Sequence, residues 1–141
     1  MRKLFCTFLT LGLFFMGGCQ LAGDTMDLLD EKIEVVNVSI SNGAGEMNED
    51  ITFSFDDNKS IKIFENAIKS AVEHDSEINK TKPDYDVMVN YGEGFPVHAI
   101  HLWLGAENEQ STLMYLVGEG QTYITSSKYT NQLRELLLQE Q

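Results

Sequence analysis

Two histidines three residues apart, His98 and His101, are the side chains best suited to share a metal ion. On a helix this spacing would put both imidazoles on one face. The surrounding run VHAIHLWL is instead typical of a β-strand, in which they point to opposite faces. The third histidine, His74, is remote in sequence, and the chain has no H-E-x-x-H pattern. We therefore predict no metal site.

His101 and Trp103 lie two residues apart, so they share one face of the predicted strand. If that face is open, Trp103 could stack on a sugar ring or anchor a partner residue. If a helix covers it, Trp103 belongs to the core, and the general burial of large aromatic residues favours that outcome. His101 and Trp103 are therefore retained as candidate binding residues.

The sequence shows no recognisable catalytic centre. Neither G-x-S-x-G nor S-x-x-K is present, and the G-x-G pairs lack the third glycine and the helix that bind phosphate. Paired carboxylates remain possible, because the fold rather than the spacing places them. We predict no catalytic residue and no cofactor.

The first 19 residues have the organisation of a lipoprotein leader. Two basic residues, Arg2 and Lys3, precede an apolar run (4–16) that is too short to span a bilayer, which takes about 20 residues. The run ends in Met16-Gly17-Gly18-Cys19, which resembles the lipobox, with Met in place of the usual Leu. This pattern predicts cleavage after Gly18 and lipid on the Cys19 sulfur, which would anchor the chain to the outer face of the cell membrane.

Domain limits follow from this leader. We predict a signal peptide over 1–18, a lipidated, acidic tether over 19–32 and one domain over 33–141. Cys6 would leave with the leader and Cys19 would be alkylated, so the domain would contain no disulfide and no free thiol.

The negative charge of the chain excludes nucleic acid as a partner. The chain has 22 acidic against 10 basic residues, a formal charge of −12, whereas nucleic-acid binding requires a basic surface. A hydrophobic content of 43% is sufficient for one core.

Hydrophobic periodicity predicts the order β-β-α-β-β-β-β-α. Alternating, β-branched runs predict the strands, and apolar residues at spacings of three and four predict two amphipathic helices. The predicted strands are 33–41, 51–55, 85–91, 97–104, 112–117 and 122–125, and the predicted helices run to His74 and to Leu138. Four consecutive strands indicate a mostly antiparallel sheet, and two amphipathic helices would cover it in a two-layer α+β domain.

Several strand segments, together with the lipobox, resemble the YhfM-like lipoproteins of Gram-positive bacteria. They are Tyr85-Asp86-Val87, His101-Leu102-Trp103-Leu104, Leu113-Met114-Tyr115, Thr122-Tyr123-Ile124 and the closing helix over 133–137. The resemblance implies location and fold, and no activity or catalytic residue.

These observations together predict a membrane-anchored, extracytoplasmic binding module without enzymatic activity, which engages an envelope protein or other envelope component. Two alternatives stay open: an envelope hydrolase that uses paired carboxylates, and an inhibitor or immunity-type lipoprotein.

Overall fold

The computed structural model describes residues 23–139. Within this range the chain forms seven strands, two α-helices and a short 3-10 helix. In chain order they are β1 (Val35–Ile40), β2 (Phe53–Phe55), α1 (Asn58–Lys69), β3 (Val72–Glu73), the 3-10 helix (Glu77–Lys80), β4 (Tyr85–Asn90), β5 (His98–Trp103), β6 (Ser111–Tyr115), β7 (Thr122–Thr125) and α2 (Ser127–Leu138).

All seven strands belong to one sheet in the order β2-β1-β4-β5-β6-β7-β3, and every neighbouring pair is antiparallel. The strands β4 to β7 form the predicted meander. The fold class is therefore α+β, as predicted, with one additional strand, β3, which follows α1 and pairs at the far edge with β7.

Helix α1 ends earlier than its apolar pattern predicted. Its first turn is capped by the Asp57 carboxylate, which accepts a hydrogen bond from the Ser60 amide at 2.8 Å. Its last turn closes at Ser70, whose amide donates to the Asn66 carbonyl. The expected continuation to His74 is wrong, because Val72 leaves the helix to pair with Ile124 of β7.

Both helices pack on the same face of the sheet. Phe64 of α1 lies 5.4 Å from Phe55 of β2 between ring centroids, and the Thr130 hydroxyl of α2 lies 2.6 Å from that of Ser111 on β6. The two helices also contact each other. The core lies between this helical layer and the sheet.

The opposite face of the sheet carries loops in place of a second helical layer. Residues 42–48 and residues 74–84 cross it, and they bury polar as well as apolar side chains. This arrangement places the site described below under a loop.

Part of the segment predicted as a tether contacts the domain. From Asp24 onward the chain is bound to the domain, because the Met26 amide donates to the Ala71 carbonyl at 3.1 Å and Thr25 forms a bridge with Val72. The Met26 side chain is 1% exposed. Residues 24–29, called here the N-terminal strap, therefore belong to the folded unit, and burial of one apolar side chain outweighs the acidic composition that suggested a free segment.

Candidate active site

A carboxylate and an imidazole meet in the middle of the loop-covered face. Asp86 on β4 and His101 on β5 are directly opposite in the antiparallel register, and both side chains are fully buried. Their Oδ1 and Nδ1 atoms are 2.8 Å apart. Burial of such groups is costly unless they are paired, so this pair is a specific and energetically significant feature of the sheet.

Two main-chain amides indicate which nitrogen of His101 carries the proton in the Asp86–His101 pair, called here the dyad. The Gly45 amide donates to His101 Nε2 at 3.2 Å, and the Asn48 amide donates to Asp86 Oδ2 at 2.8 Å. Because an amide N–H can only donate, Nε2 carries no proton, and the imidazole proton lies on Nδ1, facing the carboxylate. His101 is thus a neutral imidazole whose tautomer is fixed by Asp86.

Residues 42–48, called here the glycine loop, form the cover of the dyad. One end is held at Asn48, whose carbonyl accepts from the Ser39 hydroxyl at 2.5 Å and whose side-chain amide donates to the Ile40 carbonyl at 2.7 Å. Gly45, over the imidazole, is exposed and has a φ of 92°, a left-handed conformation that favours glycine. Only one layer of main chain therefore separates His101 Nε2 from solvent.

The two candidate binding residues are both covered. Trp103 is 5% exposed, its indole N–H donates to the Thr81 carbonyl at 3.3 Å, and its ring meets that of His101 edge-on at 6.2 Å between centroids. Loops rather than a helix bury this indole. In this conformation the face is closed to a sugar ring, and His101 is distinguished by its partner Asp86.

His98 lies on the helical face, where it belongs to a different cluster. Its Nδ1 is 2.7 Å from the Tyr91 hydroxyl, which also accepts from the Leu29 amide of the N-terminal strap. Burial lowers the pKa of His98 and raises the pKa of Tyr91. A second tyrosine, Tyr115, accepts from the Asp27 amide and donates to the Asp27 carbonyl, both at 2.7 Å. This cluster binds the N-terminal strap.

Across residues 23–139, no three His, Cys, Asp or Glu side chains are grouped so that they could hold a metal ion. The same residues contain no helix long and apolar enough to cross a membrane. Cys19 and the lipobox residues Met16, Gly17 and Gly18 lie outside the described residues.

Asp86 is the candidate site residue that the sequence analysis missed. Its signal was an acidic side chain in the middle of the apolar strand Tyr85-Asp86-Val87, on the face shared with His101 once β4 and β5 are paired.

The family model for the YhfM protein matches residues 31–141, which is most of the chain. The chain belongs to the YhfM family. A comparison of this chain with curated proteins found no match. Its fold is similar to that of a solved structure, a thioesterase-like protein from Clostridium sporogenes. The two chains are 19% identical, and the match covers 76% of this chain and 95% of that chain with a TM-score of 0.54.

This similarity corrects the functional prediction. The prediction of a non-enzymatic binding module is wrong, because the solved structure that shares this hotdog-type fold is described as a thioesterase-like protein. The predicted membrane anchor is a separate matter, on which this similarity has no bearing. Neither alternative is kept. The buried pair of this YhfM-family chain joins a carboxylate to an imidazole, rather than two carboxylates. The inhibitor or immunity-type alternative is also non-enzymatic, and the same similarity corrects it.

Proposed function

We propose that this YhfM-family protein hydrolyses acyl thioesters, with His101 as the general base and Asp86 as the residue that orients it. The observation that carries the proposal is the 2.8 Å contact between Asp86 Oδ1 and His101 Nδ1, which leaves Nε2 unprotonated. The thioesterase-like description of the protein from Clostridium sporogenes supports the choice of substrate class.

The chemistry needs no nucleophilic side chain. Nε2 takes a proton from water as the oxygen attacks the thioester carbonyl, and the imidazolium returns that proton to the departing thiolate. The products are a carboxylic acid and a thiol. Asp86 stabilises the imidazolium and holds the ring with Nε2 directed at the glycine loop, as carboxylates do in His-based catalytic sites. In the closed conformation Gly45 occupies the position of the attacking water, so the loop has to move before each turnover.

The test is thioester hydrolysis by the full chain, on a short-chain and a long-chain acyl thioester, with the released thiol followed by a disulfide chromogen. We expect His101→Gln to lower kcat by at least roughly 100-fold, the usual contribution of a general base. Asp86→Asn should also lower kcat strongly, because an amide can donate to Nδ1 and so favours the wrong tautomer.

His98→Gln is the matched control, because it removes the other histidine of β5, on the opposite face of the sheet. It should retain the wild-type kcat. The proposal is wrong if the folded wild-type chain hydrolyses neither substrate, or if His101→Gln keeps its activity. Folding of every variant is checked by the fluorescence of the single tryptophan, Trp103.

Location is a separate proposal, which rests on the sequence pattern Met16-Gly17-Gly18-Cys19 alone. We propose that Cys19 carries a diacylglyceryl group that holds the chain on the outer face of the cell membrane. The substrate would then be an acyl compound outside the cytoplasm.

A further inference from the structure

We propose that the arm of the glycine loop over residues 43–47 is a lid, which opens to expose His101 Nε2 while Asn48 stays bound to the sheet. This inference rests on the proposed function for the identity of the site. The movement of the arm does not depend on that function, and its test needs no substrate.

The two ends of the glycine loop are held very differently. Three hydrogen bonds of 2.5 to 2.8 Å hold Asn48. Its amide donates to the Asp86 carboxylate, its carbonyl accepts from the Ser39 hydroxyl, and its side-chain amide donates to the Ile40 carbonyl. These contacts are made to the sheet itself, and they keep Asp86 paired whether or not the arm moves.

The arm is bound to the sheet more weakly than Asn48. Gly45 contacts the sheet through one hydrogen bond, 3.2 Å long, to His101 Nε2. At the start of the arm, Gly43 is bonded to the Ser41 hydroxyl, which accepts from its amide at 3.2 Å and donates to its carbonyl at 3.3 Å, distances longer than those at Asn48. A Cβ placed on Gly43 or on Gly45 would meet no other atom within 4 Å, so neither glycine is packed on its side-chain side. Ala44 and Glu46 are exposed. Met47 is half-buried, so the apolar contact that resists outward movement of the arm lies at its end next to Asn48.

Opening the arm has one direct chemical effect. His101 Nε2 exchanges the Gly45 amide for a water molecule, while Nδ1 keeps its bond to Asp86. The base is thus assembled before the lid opens, and the lid controls access only. A substrate that fills the space vacated by residues 43–47 would hold the lid open during turnover.

The glycines supply a matched pair of variants. Gly45 in the arm and Gly94 in the β4–β5 connection have φ values of 92° and 89°, and both have open space where a Cβ would be. Alanine strains the left-handed backbone equally at both positions. Gly45→Ala should therefore destabilise the closed lid, whereas Gly94→Ala applies the same strain far from the dyad.

The experiment measures the accessibility of His101 without any substrate. Diethyl pyrocarbonate transfers an ethoxycarbonyl group to an unprotonated imidazole nitrogen, and mass spectrometry of the full chain reports the rate for each histidine. In the wild type we expect His101 to react far more slowly than the exposed His74. Gly45→Ala should raise the His101 rate about fivefold, the factor expected from left-handed strain on an alanine, and should leave the His74 rate unchanged.

Gly94→Ala should leave the His101 rate unchanged. The lid proposal is overturned if Gly45→Ala does not raise the His101 rate, if Gly94→Ala raises it equally, or if His101 in the wild type reacts as fast as His74. An accessible His101 in Gly45→Ala with no thioester hydrolysis by any variant would leave the lid intact and refute the proposed activity.

Discussion

Replacing Asp86 by alanine is the most direct test of the energetics of the dyad. The Asp86 carboxylate accepts two hydrogen bonds, from His101 Nδ1–H and from the Asn48 amide, both at 2.8 Å, and it is fully buried. Asp86→Ala removes both acceptor atoms and leaves without a partner one buried donor, His101 Nδ1–H, and one part-buried donor, the Asn48 amide. The loop that covers them then loses its main attachment to β4.

The magnitude follows from these two bonds. A hydrogen bond to a charged group contributes about 1.5–3 kcal/mol, and removing one partner of a buried pair costs about 3–5 kcal/mol. Both estimates place the loss in the free energy of unfolding for Asp86→Ala at about 4 kcal/mol. With an m-value of roughly 2 kcal/mol per molar urea, the unfolding midpoint should fall by about 2 M.

Trp103 reports this unfolding directly, since it is the single tryptophan, it is buried, and its ring contacts His101. Urea titrations of the wild type, Asp86→Ala, His101→Ala and the double variant complete a thermodynamic cycle. Asp50→Ala is the control, because Asp50 is exposed in the segment that follows the glycine loop. A midpoint shift for Asp86→Ala no larger than that of Asp50→Ala, or additive single effects in the cycle, would refute the assignment of an energetically coupled dyad.

Three further predictions concern other parts of the molecule. Burial lowers the pKa of His98 below its ordinary value of 6.5, so the unfolded chain binds this proton more readily; stability should be full above pH 6.5 and fall as the pH drops below it. His98→Gln should flatten this dependence in urea titrations at several pH values, and His74→Gln should leave it unchanged. Met26→Ala should lower the free energy of unfolding by about 2–3 kcal/mol, because this side chain of the N-terminal strap is buried; a loss below about 0.5 kcal/mol would mean that the strap is not part of the folded unit. Cys19→Ala should move the protein from the membrane fraction to the soluble fraction of its host cells, and retention in the membrane would refute lipid anchoring at this residue.

The strands were largely predictable from the sequence because their periodicity is local. The alternation around Val36 and Val38 and the meander from Tyr85 to Thr125 appear in the structure close to their predicted limits. Strand β3 was not predictable, because two residues carry no period and Val72 continues the apolar spacing of α1. Its conformation is imposed by pairing with Ile124, a contact distant in sequence.

Only one of the two residues of the dyad was predictable from the sequence. His101 was singled out from its position beside Trp103, whereas the partner Asp86 depends on the exact register of β4 and β5. The glycine loop falls between the predicted strands 33–41 and 51–55, but hydrophobic patterns contain no information on which amide of a connection reaches an imidazole. The burial of Met26 has the same cause, since the apolar site that it fills is formed only after α1 and the sheet are in place.

The short strands at the two borders of the sheet also bear on how this protein behaves at high concentration. An unpaired strand edge can template aggregation by adding strands from other molecules, and short edges limit that risk. Here β2 has three residues and β3 has two, and Thr25 of the N-terminal strap bridges to Val72 on the outer side of β3. Proteolytic removal of the strap would uncover this border, so a nicked chain should be more prone to aggregation than an intact one.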